Sequence, residues 1–241
     1  MSVLAVIPAR GGSKGIPRKN LAPLAGRPLI VHTLDTARAA KAVTDVMVST
    51  DDDEIAAVCE GAGVTVPYRR PQALAGDAAG MVDTVLDALQ WWSSRHGGEP
   101  ELVVLLQPTS PLRNSDDVNG TIAALRETGC KAAVSVHEMR EHPMECVKRE
   151  GHSWTMLARP PASAAGRQDY SGRFYFINGA VYAVTPSFLR ERHAFAVEGD
   201  ETALYVMDAV RGIDIDDSDG LDMAEAILAH PRLRRHVKLE G

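Results

Sequence analysis

The sequence predicts an α/β domain with a doubly wound, mostly parallel sheet, and three observations carry that prediction. From Val3 to Val136, short apolar runs alternate with segments of helical period in strand–helix order. One run, Leu102 to Leu106, is apolar throughout, as in a strand covered on both faces. Polar loops containing Gly or Pro follow the strand ends, where ligands bind in open α/β sheets. Right-handed crossovers turn that order into a doubly wound sheet. The 241 residues, 45% hydrophobic, suffice for a sizeable core: one domain over residues 1–241, or two small ones.

The first strand runs from Val3 and stops at Pro8. It opens into a loop with three glycines and four cations, Arg10, Lys14, Arg18 and Lys19. Glycine lets the backbone approach a ligand and turn N–H groups toward it. Cations beside such groups suit an anion, a polyphosphate above all. The loop fits neither the P-loop nor the dinucleotide glycine pattern, so by composition alone a merely solvated surface loop is the alternative.

The next elements follow in order. Pro28 to Ala40 has helical spacing with proline at its start. Val46 to Ser49 is a strand, and Thr50 to Asp53 caps the helix Glu54 to Glu60; an adjacent aspartate run is more often a cap than a metal site. Gly61 to Gly63 ends that helix, and Val64 to Val66 is predicted as a third strand. Arg70 precedes Pro71, and Val82 to Ser94 is helical, with Trp91 and Trp92 as packing residues. The strand Leu102 to Leu106 leads into Gln107-Pro-Thr-Ser-Pro-Leu-Arg113. Ser115 to about Glu127 is helical and Ala132 to Val136 is another strand.

The rhythm breaks over 138–172, a stretch rich in Met, Pro and His with no period, read as an inserted arm that packs on something. Its histidines lack ligand spacing. A strand at Ala180 to Val184, a helix at Pro186 to Arg192 and an extended Leu204 to Met207 follow. In Ile213 to Asp216, residues two apart share a face if the segment is a strand, so Asp214 and Asp216 would project together and could share Mg²⁺; a solvated acidic strand end is the alternative.

Composition bounds the function. A net charge of −6 argues against non-specific nucleic-acid binding. Three scattered cysteines without zinc spacing are expected to be reduced thiols. The first residues lack a signal-peptide core and no apolar run is long enough to span a bilayer, so a cytoplasmic protein without membrane contact is expected.

Four strings sharpen this reading. Ile7-Pro-Ala-Arg-Gly-Gly-Ser-Lys-Gly-Ile-Pro-Arg-Lys-Asn20, Leu106 to Arg113, Arg167-Gln168-Asp169 with Asn178-Gly-Ala-Val-Tyr182, and Ile213-Asp-Ile-Asp216 before an Ala-Glu helix together resemble the CMP-sialic acid synthetases, the acylneuraminate cytidylyltransferases. The resemblance runs from Val3 to about His230. It implies a Rossmann-like nucleotidyltransferase fold and Mg²⁺-dependent transfer of CMP from CTP to a nonulosonic sugar acid. It also implies a homodimer made by the 138–172 insertion. By residue, it implies Arg10 and Lys19 as catalytic cations; Arg10, Gly11, Gly12, Ser13, Lys19, Asn20 and Arg70 on the nucleotide; Gln107, Arg167, Gln168, Asn178 and Tyr182 on the sugar acid; and Asp214 and Asp216 on the metal. Phe176 stands where the family often has arginine, and Ala79-Gly80 where it usually has a hydroxyl. The rivals are a cytidylyltransferase for another acid, such as Kdo or a phosphonate, and a catalytically inactive nucleotide-binding regulator.

Overall fold

The computed structural model describes residues 2–159 and 172–240. Six strands make the central sheet: β1 (Val3–Pro8), β4 (Asp45–Ser49), β5 (Leu102–Leu105), β6 (Ala132–Glu138), β9 (Tyr175–Val184) and β10 (Thr202–Val206), in the order β10-β6-β9-β5-β1-β4. Two short strands, β2 (Pro23–Leu24) and β3 (Arg27–Pro28), pair beside it, and β7 (Val147–Glu150) pairs with β8 (Ser153–Met156) as a hairpin. β1 is parallel to β4 and β5, and β10 is parallel to β6. β9 runs antiparallel between β5 and β6, so the predicted mostly parallel sheet holds with one reversed strand at its middle.

Helices cover both faces. On one lie α1 (Leu29–Ala39), α2 (Asp53–Gly61) and α4 (Ser115–Thr128), whose Ile30, Leu34, Ile55, Ile122 and Leu125 bury against Val3, Ala5 and Val104. On the other lie α3 (Met81–His96) and α5 (Pro186–Arg192), whose Leu89, Trp92 and Phe188 meet Leu4, Val6 and Val103. Alternate residues of β1 and β5 thus feed opposite cores, which is why both strands read as unbroken apolar runs. A third core joins α6 (Ser218–Ala229) to Leu24, Leu112 and Ile215, with α7 (Pro231–Arg234) following.

Caps set the helix ends. The Asp52 carboxylate accepts from the N–H groups of Glu54 and Ile55 at the start of α2, as expected of that aspartate run. Asn114 and Asp117 form a capping box on α4, which stops at Gly129 with φ of 71°.

Two predicted strands are corrected. Val64 to Val66 belongs to no strand of the sheet; Val64 and Val66 bury in the first core, so their apolarity reports burial and not a ladder. Ile213 to Asp216 is likewise outside the sheet, although the Ile215 N–H donates to the Thr109 carbonyl at 2.7 Å. The stretch 138–172 contains β7, β8 and a 3-10 turn at Pro143–Glu145. Arg167 and Gln168 lie outside the described residues.

Candidate active site

The parallel strands β1, β4 and β5 point their carboxyl ends at one cleft of about 520 Å³. Arg10, Ser13, Lys14, Lys19, Asn20 and Arg70 line one part of it; Gln107, Thr109, Asp214 and Asp216 line another. Two regions 197 residues apart in sequence meet at Lys19. Its ammonium donates to the Ile215 carbonyl at 2.8 Å and pairs with the Asp216 carboxylate at 3.3 Å. Gly15 is what lets the loop come so near: a Cβ there would stand 2.0 Å from the Asp216 carbonyl oxygen.

The glycine loop is held from below. The Gly11 N–H donates to Asp51 at 3.0 Å, and the Asn20 amide donates to the Arg10 carbonyl at 2.9 Å. The Gly11 N–H is therefore committed within the protein, and Gly12 does not line the cleft. The Arg18 guanidinium pairs with Asp52 and Glu54, outside the cleft. Arg10 and Lys14 both pair with Asp77, at 2.8 and 2.9 Å. These two cations, with the hydrogen bonds they make, hold the Asp77 carboxyl below the usual carboxylate range, the Lys14 hydrogen bond counting most and desolvation opposing it. Asp77 is thus the anion the loop now embraces, a contact the sequence reading missed; a lone aspartate in a polar loop carries no spacing signal.

Arg70 is buried. Its guanidinium donates to the Ser49 hydroxyl at 3.0 Å and to the Ser49 carbonyl at 2.6 Å, which fixes it at the end of β4.

The loop after β5 is built around Arg113, which is fully buried and which the sequence reading used only as part of a motif. Its guanidinium donates to the carbonyls of Gln107 (2.6 Å), Ser110 (3.0 Å) and Ala180 (3.2 Å) and to the Thr33 hydroxyl (2.8 Å). Burial pulls its pKa down to about 9, opposed by the charges of Asp117 and Asp214. The fork ties the loop, β9 and α1 into one piece and leaves the Gln107 side chain facing the cleft.

Asp214 opens to the cleft, yet the surrounding walls hold its carboxyl above the usual range. Desolvation is the main cause and Asp216 adds to it, while a Thr109 hydrogen bond, Lys19 and Arg113 oppose it. Tyr182 is raised as well, by burial and then by Asp214. Gln107 and Tyr182 converge at Gly179: a Cβ there would lie 3.7 Å from the Gln107 amide nitrogen and 3.8 Å from the Tyr182 hydroxyl. Asn178 is turned elsewhere. Its carboxamide oxygen accepts from the Ser135 hydroxyl at 2.7 Å and the Ala180 N–H at 3.1 Å, in a buried network. The structure therefore brings Arg10, Ser13, Lys19, Asn20, Arg70, Gln107, Asp214 and Asp216 together and does not bring Gly12 or the Asn178 amide into the cleft.

A cationic glycine loop and a carboxylate pair, facing each other at the strand ends of an α/β sheet, define a nucleotide-binding enzyme class that handles polyphosphate. The comparisons agree. A cytidylyltransferase family profile matches residues 4–152. The chain is 35% identical over 221 residues to the CMP-N,N'-diacetyllegionaminic acid synthase of Legionella pneumophila, covering 90% of this chain and 91% of that one. It is 33% identical over 251 residues to the 3-deoxy-manno-octulosonate cytidylyltransferase of Anaeromyxobacter dehalogenans, covering 94% and 98%. It spans about half the length of the N-acylneuraminate cytidylyltransferases of Streptococcus agalactiae that it matches. The structure of CMP:2-keto-3-deoxy-manno-octonic acid synthetase complexed with CTP superposes with a TM-score of 0.69 at 19% identity, covering 95% of this chain and 99% of that one, a likeness of fold. The protein belongs to the cytidylyltransferase family and is a nucleotidyltransferase.

Proposed function

We propose that the protein transfers CMP from CTP to a nonulosonic, sialic-type sugar acid, releasing pyrophosphate with Mg²⁺ as cofactor. The contact of Lys19 with Asp216 carries this reading, because it puts phosphate-binding cations and carboxylates on one cleft.

The chemistry is a displacement at the α-phosphorus by a sugar hydroxyl, so positioning and charge neutralisation supply most of the catalysis. Arg10 and Lys19 hold the triphosphate, with Ser13 and the nearby backbone. For Arg10 this means exchanging Asp77 for phosphate oxygens. Asn20 and Arg70 orient the nucleotide. Gln107 and Tyr182 face the acceptor, with Arg167 and Gln168 assigned to it by resemblance. Asn178 supports the acceptor wall through its network.

Asp214 and Asp216 fit a hard cation: both carboxylates face the cleft, and beside the desolvation that chiefly holds the Asp214 carboxyl up, the like charge of Asp216 adds a repulsion that a cation would relieve. Among the described residues no group of three or more His, Cys, Asp or Glu could hold a metal alone, so an ion here would take its other ligands from phosphates and water. When bound, Mg²⁺ would neutralise phosphate charge and acidify the attacking hydroxyl.

The reading includes a cytoplasmic homodimer joined through the 138–172 excursion. The exposed Val147, Trp154 and Leu157 of the β7–β8 hairpin support that contact, and finding only monomer at micromolar concentration by light scattering would overturn it. Among the described residues no helix is long and apolar enough to cross a membrane.

Pyrophosphate release from CTP and Mg²⁺ with a panel of acids is the test. Turnover with sialic-type acids is expected. Turnover with Kdo alone would favour the second reading, to which the octulosonate relative points. No release with any acid would leave the inactive nucleotide binder.

A further inference from the structure

A second hollow of about 740 Å³ opens on the far side of Asp214, which lines both spaces. Its walls are apolar: Phe176 from β9, Ile213 from the segment before Asp214, Met223 and Ile227 from α6, and Leu233 from α7. Phe176 and Met223 are 55% and 57% exposed, large side chains left open to solvent beside the carboxylate pair. Adjacent exposed apolar side chains in a concave setting mark a ligand surface more often than a bare face.

The floor is closed and nearly without charge. A Cβ on Gly212 would lie 2.7 Å from the Asn178 amide nitrogen and 2.9 Å from the His137 ring, so backbone and side chains meet there without a gap. The Asn178 carboxamide oxygen is spent on Ser135 and Ala180. His137 packs its ring 5.5 Å from that of Phe176, and burial, then Arg140, hold its pKa below the ordinary histidine value. Charged groups stand elsewhere on the lining, at Arg140, Glu141, Asp214 and Asp219.

Asp214 lines both spaces, so an acid held at Gln107 with its hydroxyl beside Asp214 has this groove next to it for its outlying substituents. We propose that this groove seats the ring substituents of the acceptor, and that Phe176, Met223 and Ile213 select acids whose substituents end in methyl groups, as deoxygenated or acylated carbons do, over acids with a polyhydroxylated tail. The inference rests on the reading of Asp214 as part of the reaction centre. Against Phe176, Met223 and Ile213 a methyl group gains apolar contact that a hydroxyl does not.

The test is a matched pair, N-acetylneuraminic acid and its 9-deoxy analogue, compared by kcat/KM at saturating CTP and Mg²⁺. The deoxy acid should be favoured by roughly fivefold to tenfold, the low end for one methyl-sized contact because the wall is half open to solvent. In Phe176→Ser and Met223→Ser, both at exposed positions where folding should not suffer, the preference should shrink to within about twofold while the KM for CTP stays put. Equal or reversed preference in the wild type overturns the proposal. So does a ratio unchanged in both variants, or a KM for CTP that moves with it. If neither acid is turned over, the proposed reaction fails, and the groove is judged by calorimetry with the same two acids. Tighter binding of the deoxy acid to wild type, lost in Phe176→Ser, upholds it; equal or absent binding overturns it.

Discussion

The loop from Arg10 to Arg18 and the loop from Gln107 to Arg113 edge the same cleft and are held in opposite ways. The first keeps its cations at the surface, paired with carboxylates that solvent also reaches: Arg10 and Lys14 with Asp77, Arg18 with Asp52 and Glu54. The second keeps one cation inside, where Arg113 binds only carbonyls and a hydroxyl. Exposed pairs exchange partners at little cost. A buried guanidinium fork does not, because each acceptor it leaves is stranded away from water. A charged ligand that must enter and leave is met by the exchangeable loop, while the fixed loop sets where the reaction happens.

Four substitutions press on that contrast. Lys19→Ala should cost the most catalysis, lowering kcat on the order of 10²–10³, about 3–4 kcal/mol of transition-state stabilisation; steady-state kinetics reads it, and a near-wild-type kcat removes Lys19 from the mechanism. Arg113→Met should act on stability first, by on the order of 3 kcal/mol in urea unfolding, since several buried acceptors lose their donor together. A change within experimental error would mean that the fork is dispensable and the two loops are alike. Asp216→Asn should raise the Mg²⁺ concentration needed for half-maximal rate by at least on the order of tenfold, visible in a metal titration at fixed CTP. The smallest effect is expected at Asp77→Asn: freeing Arg10 and Lys14 from their present anion should tighten CTP binding by roughly twofold to fivefold, and the gain should fade as salt is added. Weaker CTP binding in this variant would make Asp77 a support of the loop and not a stand-in for phosphate.

Much of the scaffold was legible because its strands are buried on both faces. β1 and β5 read as unbroken apolar runs, α2 announced itself through its aspartate run, and α4 was placed from Ser115 although its cap proved to be Asn114, one residue earlier. Direction was not legible: nothing in Tyr175 to Val184 says that the strand runs against its neighbours, since residue alternation is the same either way. Val64 and Val66 misled because an extended apolar segment packs under a helix as well as it pairs in a sheet. At the site, the cations and aspartates could be read as types, but which of them are spent on each other could not. By composition alone Arg18 was indistinguishable from Lys19, and only the family resemblance singled out Lys19; in the structure one ties the surface to Asp52 and the other crosses to Asp216. Asn178 could be placed near the acceptor, but its carboxamide oxygen is taken by Ser135 and Ala180 and its nitrogen faces His137, partners far or close in sequence that no spacing rule selects.

The bare α-carbon at Gly15 settles the gauge of the whole jaw. Backbone there rests directly on the Asp216 carbonyl, so hard-core repulsion limits how near the loop can come to the acidic wall that Lys19 bonds across the gap. A single methyl at that point would act as a wedge, pushing the ammonium away from the carboxylates while every charged group stayed in the sequence.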